Sequence, residues 1–505
     1  MMVGLGAMLM FYGPTDNWSW DPSYYYAQLR SPIIDHDLDF RDETVTNGVV
    51  TKVTVTGLQG SPWPLGPSIL WSPFFLAAHF LVQLISPIKA NGFTFPYIAF
   101  VSFGSSLYGI AGLFLLYRLC RDFGNRFIST ITVLLCLGAT PLFYYIFRQP
   151  IMAHSTGFLI ATLTLLFYIR LVERQMYRNQ SGFIFGVLLG LGFLMRWTGI
   201  LFAIFPIFHF TGEIVKAIRV KNFQEVRFLL KQILVMSLSF ILTISPQLAL
   251  WYRLYGTFLT VPQGSSSFVG NFFPINIWKI FLDTNRGIVF WSPIVVIGML
   301  GMALIPNRNL KISTATCMLS QIILIGYRVD WFSGGGFGAR YFIELLPVLA
   351  VGFVFLGREI SEKSRGKVFL TIFTLSLIFH QAVLMHTVEH AVDGWLNLTD
   401  YLKGNPLGLS WQVKSFLRLI KEPVLWFAPR PFVAQERQTI LVNFLGQAQD
   451  LRTYRITGIA TGLMPVAILL SRGFQEYLTR VNYSLLLSGV VLYMMAWAFF
   501  LMLVN

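Results

Sequence analysis

The sequence predicts an all-α polytopic membrane protein, and two observations carry that reading. Hydrophobic residues fill 55% of the 505 positions and charged residues only 12%, whereas a soluble globular chain carries about a quarter charged residues. Apolar runs of about 18 residues or more recur along most of the chain, long enough for a helix to cross hydrocarbon. A spanning barrel would show short alternating segments instead, and the sequence has none. The runs follow one another without linkers, so the expectation is one continuous bundle.

The net charge of +15 raises nucleic acid as a partner, but the positions of the basic residues exclude it. They gather in short gaps between apolar runs, which is the positive-inside pattern. The three cysteines, Cys120, Cys136 and Cys317, lie in or beside apolar runs. None falls in a long polar loop, so neither a disulfide framework nor a zinc knuckle is expected. Met1 to Tyr12 lacks the basic start and small-residue cleavage site of a signal peptide. It also falls short of a full span, so the sequence is expected to begin inside its first helix.

The basic gaps set the topology. Arg118 to Arg126, Arg170 to Arg178, Lys216 to Lys231, Arg308 to Lys311, Arg358 to Lys367 and Arg472 to Arg480 are assigned to the cytoplasm. The connections 13–96, 147–151, a tight break at Arg196, 253–286, 328–340 and 387–455 then face outward. A crossing at 68–86 would invert every later loop. Pro64, Pro67, Pro73, His79 and Gln83 suit a broken, half-buried helix there, lying in the interface or re-entering it. The stretch 182–212 becomes two spans meeting outside at Arg196. The total is about thirteen spans, with the N-terminus inside and the C-terminus outside.

The outward connections hold the chemistry. The first is acidic: Asp16, Asp21, then Asp35-His36-Asp37-Leu38-Asp39, then Asp42-Glu43. Asp21 lies just above the bilayer, where a carboxylate can act as general base on a hydroxyl. Asp35, Asp37 and Asp39 offer oxygen ligands to a divalent cation or to substrate, or are ordinary turn and cap residues.

Arginines stand on the side that charge bias disfavours: Arg148, Arg196, Arg253, Arg286, Arg328 and Arg340. A guanidinium fork at a membrane boundary suits a phosphate or a carboxylate. The set points to an anionic ligand at the outer leaflet, while single members can snorkel to lipid or pair with Asp283 or Asp330. The run Gly334-Gly335-Gly336-Phe337-Gly338-Ala339-Arg340, beside Trp331, opens the next span and allows close backbone approach to a ligand. His154, one turn into a span, is either a packed polar residue or a substrate ligand. His386 and His390, with Glu389 between them, share a helical face on which zinc could bind.

These motifs resemble the GT-C superfamily of glycosyltransferases. The resemblance rests on Asp21-Pro22-Ser23-Tyr24-Tyr25-Tyr26 through Asp35-His36-Asp37-Leu38-Asp39-Phe40, Pro64-Leu65-Gly66-Pro67, Gly192-Phe193-Leu194-Met195-Arg196-Trp197, and Gly338-Ala339-Arg340-Tyr341-Phe342. It covers most of 13–386 and is to the broad group of protein O-mannosyltransferases and lipid A aminoarabinose transferases, family 39-like enzymes. It implies a GT-C-like bundle with juxtamembrane helices in a long first outer loop, a polyprenyl-phosphate sugar donor and an inverting transfer. It also implies a catalytic Asp in that loop, and Asp21 is the matching position. The Asp-Glu pair typical of protein O-mannosyltransferases is missing, since Pro22 follows Asp21, so a lipid or glycan acceptor is favoured over protein.

The organisation expected is a catalytic module over 1–386, an outer loop over 387–455 and C-terminal transmembrane helices over 456–505. The loop, with Trp395, Tyr401, Trp411 and Trp426, is read as a lid or an acceptor-binding element. Asp21 is the expected base. Arg340, Arg196, Arg286 and Arg148 are the expected phosphate ligands, with a divalent cation at the Asp35 cluster as an alternative. The expected location is the bacterial inner membrane with the site outside, where nucleotide sugars are not expected. The rival readings are a transporter or flippase, which would place ionisable groups in mid-membrane with broken helices, and a lipid-linked polysaccharide polymerase or ligase, which would lean less on Asp21.

Overall fold

The structure is a computed structural model, and it describes residues 20–46, 53–174, 178–264, 267–268, 273–283, 286–334, 336–386, 417, 421 and 483–504. The predicted first span, Asp16, Glu389, His390 and nearly all of the 387–455 loop with its aromatic residues lie outside the described residues.

The first connection is built from short helices. α1 (Trp20–Arg30) runs into a π-helical turn over Ser31–Asp35, and α2 (Arg41–Thr46) follows. Residues 53–65 then strap across the end of a long later helix. Thr56 Oγ1 donates to Leu254 O at 2.7 Å, and Leu65 N donates to Gln247 Oε1 at 2.8 Å.

α3 (Gly66–Ile85) differs from the expectation in one respect, because it is continuous through Pro73. A proline removes the N–H that would bond the carbonyl four residues back. Here the orphaned oxygen of Ile69 is taken by Ser72 Oγ at 2.6 Å. The same device recurs in α9 (Phe223–Tyr255), where Pro246 frees Leu242 O and Ser245 Oγ donates to it at 2.8 Å. In hydrocarbon such re-satisfaction is what lets a proline stay inside a helix. By length and composition α3 is sufficient to cross a membrane.

The bundle continues with α4 (Phe95–Arg121), α5 (Arg126–Gly138), α6 (His154–Arg174), α7 (Ser181–Met195) and α8 (Ile204–Arg219) before α9. After it come α10 (Ile277–Leu282), α11 (Ile288–Trp291), α12 (Pro293–Met302), α13 (Arg308–Gly326), α14 (Leu346–Ser361), α15 (Gly366–His386) and α16 (Tyr483–Leu503). Among the described residues eight helices are long and apolar enough to cross a membrane, with shorter apolar helices at Arg126–Gly138 and Pro293–Met302. The count of about thirteen expected from charge bias is not reached within them.

The break at Arg196 is where the sequence placed it. α7 stops at Met195, Arg196 is extended, and a 3₁₀ turn over Trp197–Ala203 starts the return into α8. α7 packs along α9 through small residues. A Cβ at Gly182, Gly186 or Gly190 would meet Gln232 O, Ser239 Oγ or Thr243 Cβ within 2.7 Å. Such spacing lets helix backbones approach closely where hydrophobic burial alone gives no association in lipid.

The two ends of the bundle differ in character. At one end Asn125, Asn222 and Asn307 cap the starts of α5, α9 and α13 by accepting from Ile128, Glu225 and Leu310 N–H groups. Among the described residues two of the basic gaps meet here, where Arg358 Nη1 donates to Phe123 O at 3.1 Å. Arg340 starts the 3₁₀ turn that leads into α14 and Arg358 lies in its last turn. At the helical rise of 1.5 Å per residue, the two are separated by about 27 Å. Arg340 and the residues around it therefore lie at the end of the bundle opposite Arg358 and Phe123.

Candidate functional site

Arg30, the last residue of α1, organises the first connection. Its Nε donates to Asn91 O at 2.6 Å and its Nη1 to Glu43 Oε1 at 2.7 Å. It also pairs with Asp35 and lies 4.0 Å from the centroid of the Phe93 ring. Burial raises the Glu43 carboxyl to about 7, against the pull of the Arg30 guanidinium.

Within this framework the acidic cluster is engaged by donors of the loop itself. Asp35 is engaged by Arg30. Asp37 accepts from Ser31 Oγ at 2.7 Å and from Asp39 N at 3.1 Å. Asp39 accepts from Gln59 N at 3.1 Å and Arg41 N at 3.3 Å. The three carboxylates shape the loop and do not converge on a common point. Among the described residues no group of three or more His, Cys, Asp or Glu side chains is arranged to hold a metal.

Asp21 has a different setting. It lies in the first turn of α1, and Arg340 Nη1 donates to its Oδ2 at 2.5 Å. Their side chains are 16% and 9% exposed, so the pair is shielded while Asp21 keeps an opening. Arg340 begins a 3₁₀ turn over Arg340–Leu345. Its Nε donates to Ser333 O at 3.1 Å. Gly336 makes room for it, since a Cβ there would stand 2.7 Å from Arg340 Nε and 2.8 Å from the Tyr145 hydroxyl. Gly336 thus packs against the arginine that the run precedes.

The remaining parts join this pair. Tyr145 donates to Phe337 O at 3.1 Å, and its ring lies 4.3 Å from that of His154. His154 Nδ1 is 2.9 Å from Glu344 Oε1. The carboxylate can only accept, so Nδ1 carries the proton. Arg196 Nη1 is 3.1 Å from Nδ1 and 3.2 Å from Nε2 of the same ring, which sets the guanidinium across the imidazole rather than on one lone pair. Arg196 also stands 5.3 Å from the centroid of Tyr341 and 3.7 Å from Glu344.

Tyr25 is buried within the combined field of Arg196, Asp21, Arg340 and Glu344. Burial holds its hydroxyl well above the ordinary range and pushes that of Tyr24 up to about 12, with Asp21 adding to both. Both therefore stay neutral donors.

The predicted arginines divide. Arg340 and Arg196 enter the site. Arg286 is buried with its guanidinium 4.5 Å from the centroid of Trp291, which meets Phe337 edge-on at 5.9 Å. Arg148 is buried at the end of the π-helical turn that carries Tyr145. Arg328 makes two hydrogen bonds to Asp330, at 2.7 and 2.9 Å, the pairing that the sequence offered as an alternative. Those bonds hold Asp330 below the ordinary carboxylate range despite its burial. Arg253 donates to Met502 O and so ties α9 to α16. His386 ends α15, and the rest of its predicted zinc motif lies outside the described residues.

Glu344 and Tyr145 were not singled out from sequence, and Tyr25 and Tyr341 were quoted only within the motifs of the resemblance, without a role. Glu344 had a readable signal, as an acidic residue one turn after Arg340 at the head of an apolar run, where an ionisable group is a functional candidate by default.

Fold and site together define a polytopic helical membrane protein with a buried, charge-paired site at one end of its bundle. Residues 93–249 match the family described as dolichyl-phosphate-mannose-protein mannosyltransferase, and this match supports the GT-C superfamily glycosyltransferase that the motifs resemble. The chain is also similar in structure to ArnT from Cupriavidus metallidurans, solved bound to undecaprenyl phosphate. The alignment spans 100% of this chain and 75% of that one, at 12% identity and a TM-score of 0.41. No curated protein matches the chain.

Proposed function

We propose that the protein transfers a sugar from a polyprenyl-phosphate donor to an acceptor hydroxyl, with inversion, at the outer face of the bacterial inner membrane. The observation that carries this reading is the Asp21–Arg340 contact. It sets a carboxylate able to take a proton beside a cation able to hold a phosphate. The family matched by residues 93–249 is described by a lipid-phosphate sugar donor, and the same donor class is proposed here.

The roles follow from charge. Asp21 removes the proton from the acceptor hydroxyl as the oxygen attacks the anomeric carbon. The bond from that carbon to the phosphate oxygen breaks, and its electron pair leaves with the lipid phosphate. A phosphodiester with one negative charge becomes a monoester carrying nearly two at neutral pH. Arg340, Arg196 and Arg286 supply preorganised positive charge for that change. Arg340 exchanges part of its contact with Asp21 for the phosphate, which leaves Asp21 the stronger base. A lipid or glycan hydroxyl is the proposed acceptor.

The donor class is tested with purified protein in liposomes, given one labelled sugar either as its polyprenyl phosphate or as its nucleotide diphosphate. Transfer from the lipid phosphate alone is expected. Transfer from the nucleotide sugar alone would overturn the reading.

A further inference from the structure

We propose that Glu344 is a positioning residue for the phosphate-binding Arg196, acting with His154 to lock that guanidinium in place. The proposal rests on the reading of the pocket as a lipid-phosphate site.

Glu344 is 6% exposed, and it lies between an imidazole and a guanidinium rather than in a surface pair. Its Oε1 is shared between His154 Nδ1 at 2.9 Å and Arg196 Nε at 3.7 Å. Its Oε2 is sealed from solvent with no hydrogen-bond partner among the described residues. A buried carboxylate so sparsely satisfied depends on the imidazole N–H and the guanidinium beside it, and removing either one is costly. The dependence is mutual. Arg196 sits at the extended break between α7 and the 3₁₀ turn before α8. There the neighbours that hold the guanidinium are the His154 ring, the Tyr341 ring and Glu344.

The helix that carries His154 is shaped for this contact. A Cβ on Gly157, one turn below, would stand 3.0 Å from Glu344 Cγ and 3.2 Å from its Oε1. Gly157 therefore leaves the carboxylate the room that this pose needs. The result is a chain of support from Glu344 through the imidazole to Arg196. Neither Glu344 nor His154 needs to touch the donor.

A double-mutant cycle tests this, with binding of bare polyprenyl phosphate and kcat and KM for the donor as readouts. Glu344→Gln keeps the side chain's size and loses its charge. It is expected to weaken polyprenyl phosphate binding by roughly tenfold to a hundredfold in the wild-type background. In an Arg196→Gln background it is expected to change binding by less than about twofold, because the effect passes through Arg196. Gly157→Ala, which keeps the charge and crowds the carboxylate, is the second variant and should act in the same direction, more weakly, and also vanish without Arg196. Glu344→Asp should restore part of the binding.

Effects of Glu344→Gln and Gly157→Ala that persist undiminished in the Arg196→Gln background would overturn the proposal, as would wild-type binding by both variants. Wild-type protein that neither binds polyprenyl phosphate nor uses the donor would overturn the functional reading itself. The two failures are thereby distinguishable.

Discussion

Arg340 Nη1 donates to Asp21 Oδ2 across 2.5 Å, joining residues 319 positions apart in the chain. The contact places the proposed base and the proposed phosphate ligand as neighbours. A sugar whose phosphate meets Arg340 would have its anomeric carbon near Asp21, and inversion then requires the acceptor hydroxyl served by Asp21 to approach that carbon from the face opposite the phosphate.

Arg340→Lys keeps the charge and loses the planar fork that binds phosphate oxygens in pairs. We expect kcat/KM for the lipid-phosphate donor to fall at least about tenfold. Arg358→Ala, at the opposite end of α14, should stay within about twofold of wild type, as surface changes away from a site usually do. Steady-state transfer by purified variants checks this. Equal small effects would reduce Arg340 to a lipid anchor.

The sidedness is tested with introduced thiols. The native Cys120, Cys136 and Cys317 are all buried, so the background to an impermeant maleimide is low. Asp42→Cys should label from outside intact cells, and Asp122→Cys only after permeabilisation. Labelling of both positions from the same side would make α3 a crossing helix, and the reverse pattern would place the first connection, with Asp21, in the cytoplasm.

Glu43 gives a pH signature. Its folded carboxyl lies at about 7, above its ordinary 4.5. A raised folded value means that the stabilising contribution is full below pH 4.5 and is lost as pH rises through 7. Glu43→Gln cannot titrate, so it should gain in melting temperature relative to wild type between pH 4.5 and 8. Parallel melting curves for the two proteins over that range would contradict the assignment.

The sequence shows the site's long-range logic better than its local contacts. Charge bias alone puts Asp21, Arg196, Arg286 and Arg340 at one end, because lipid leaves charged residues few places to go. The break at Arg196 is legible because an arginine inside an apolar stretch needs a boundary. The continuity of α3 through Pro73 is harder to read, since it depends on which carbonyl Ser72 reaches. The acidic cluster stays open to two readings for a related reason. Alternate carboxylates suit cation ligands and turn residues alike in sequence, and only the structure shows Arg30, Ser31 and Gln59 donating to them. Glu344 is masked by its apolar flanks, and its partner His154 lies 190 positions away.

The most direct test of the central claim is sugar transfer by purified Asp21→Asn protein. Asparagine keeps the size of the side chain and can still face Arg340, but it cannot take a proton near neutral pH. Its amide remains uncharged at any working pH, so the loss should not be recovered by raising the pH. Asp42→Asn, on the exposed first turn of α2, is the control and should stay close to wild type. With Asp21 as general base, transfer should fall by roughly a hundredfold or more, while polyprenyl phosphate binding is kept. Transfer by Asp21→Asn at near wild-type rate would contradict the account.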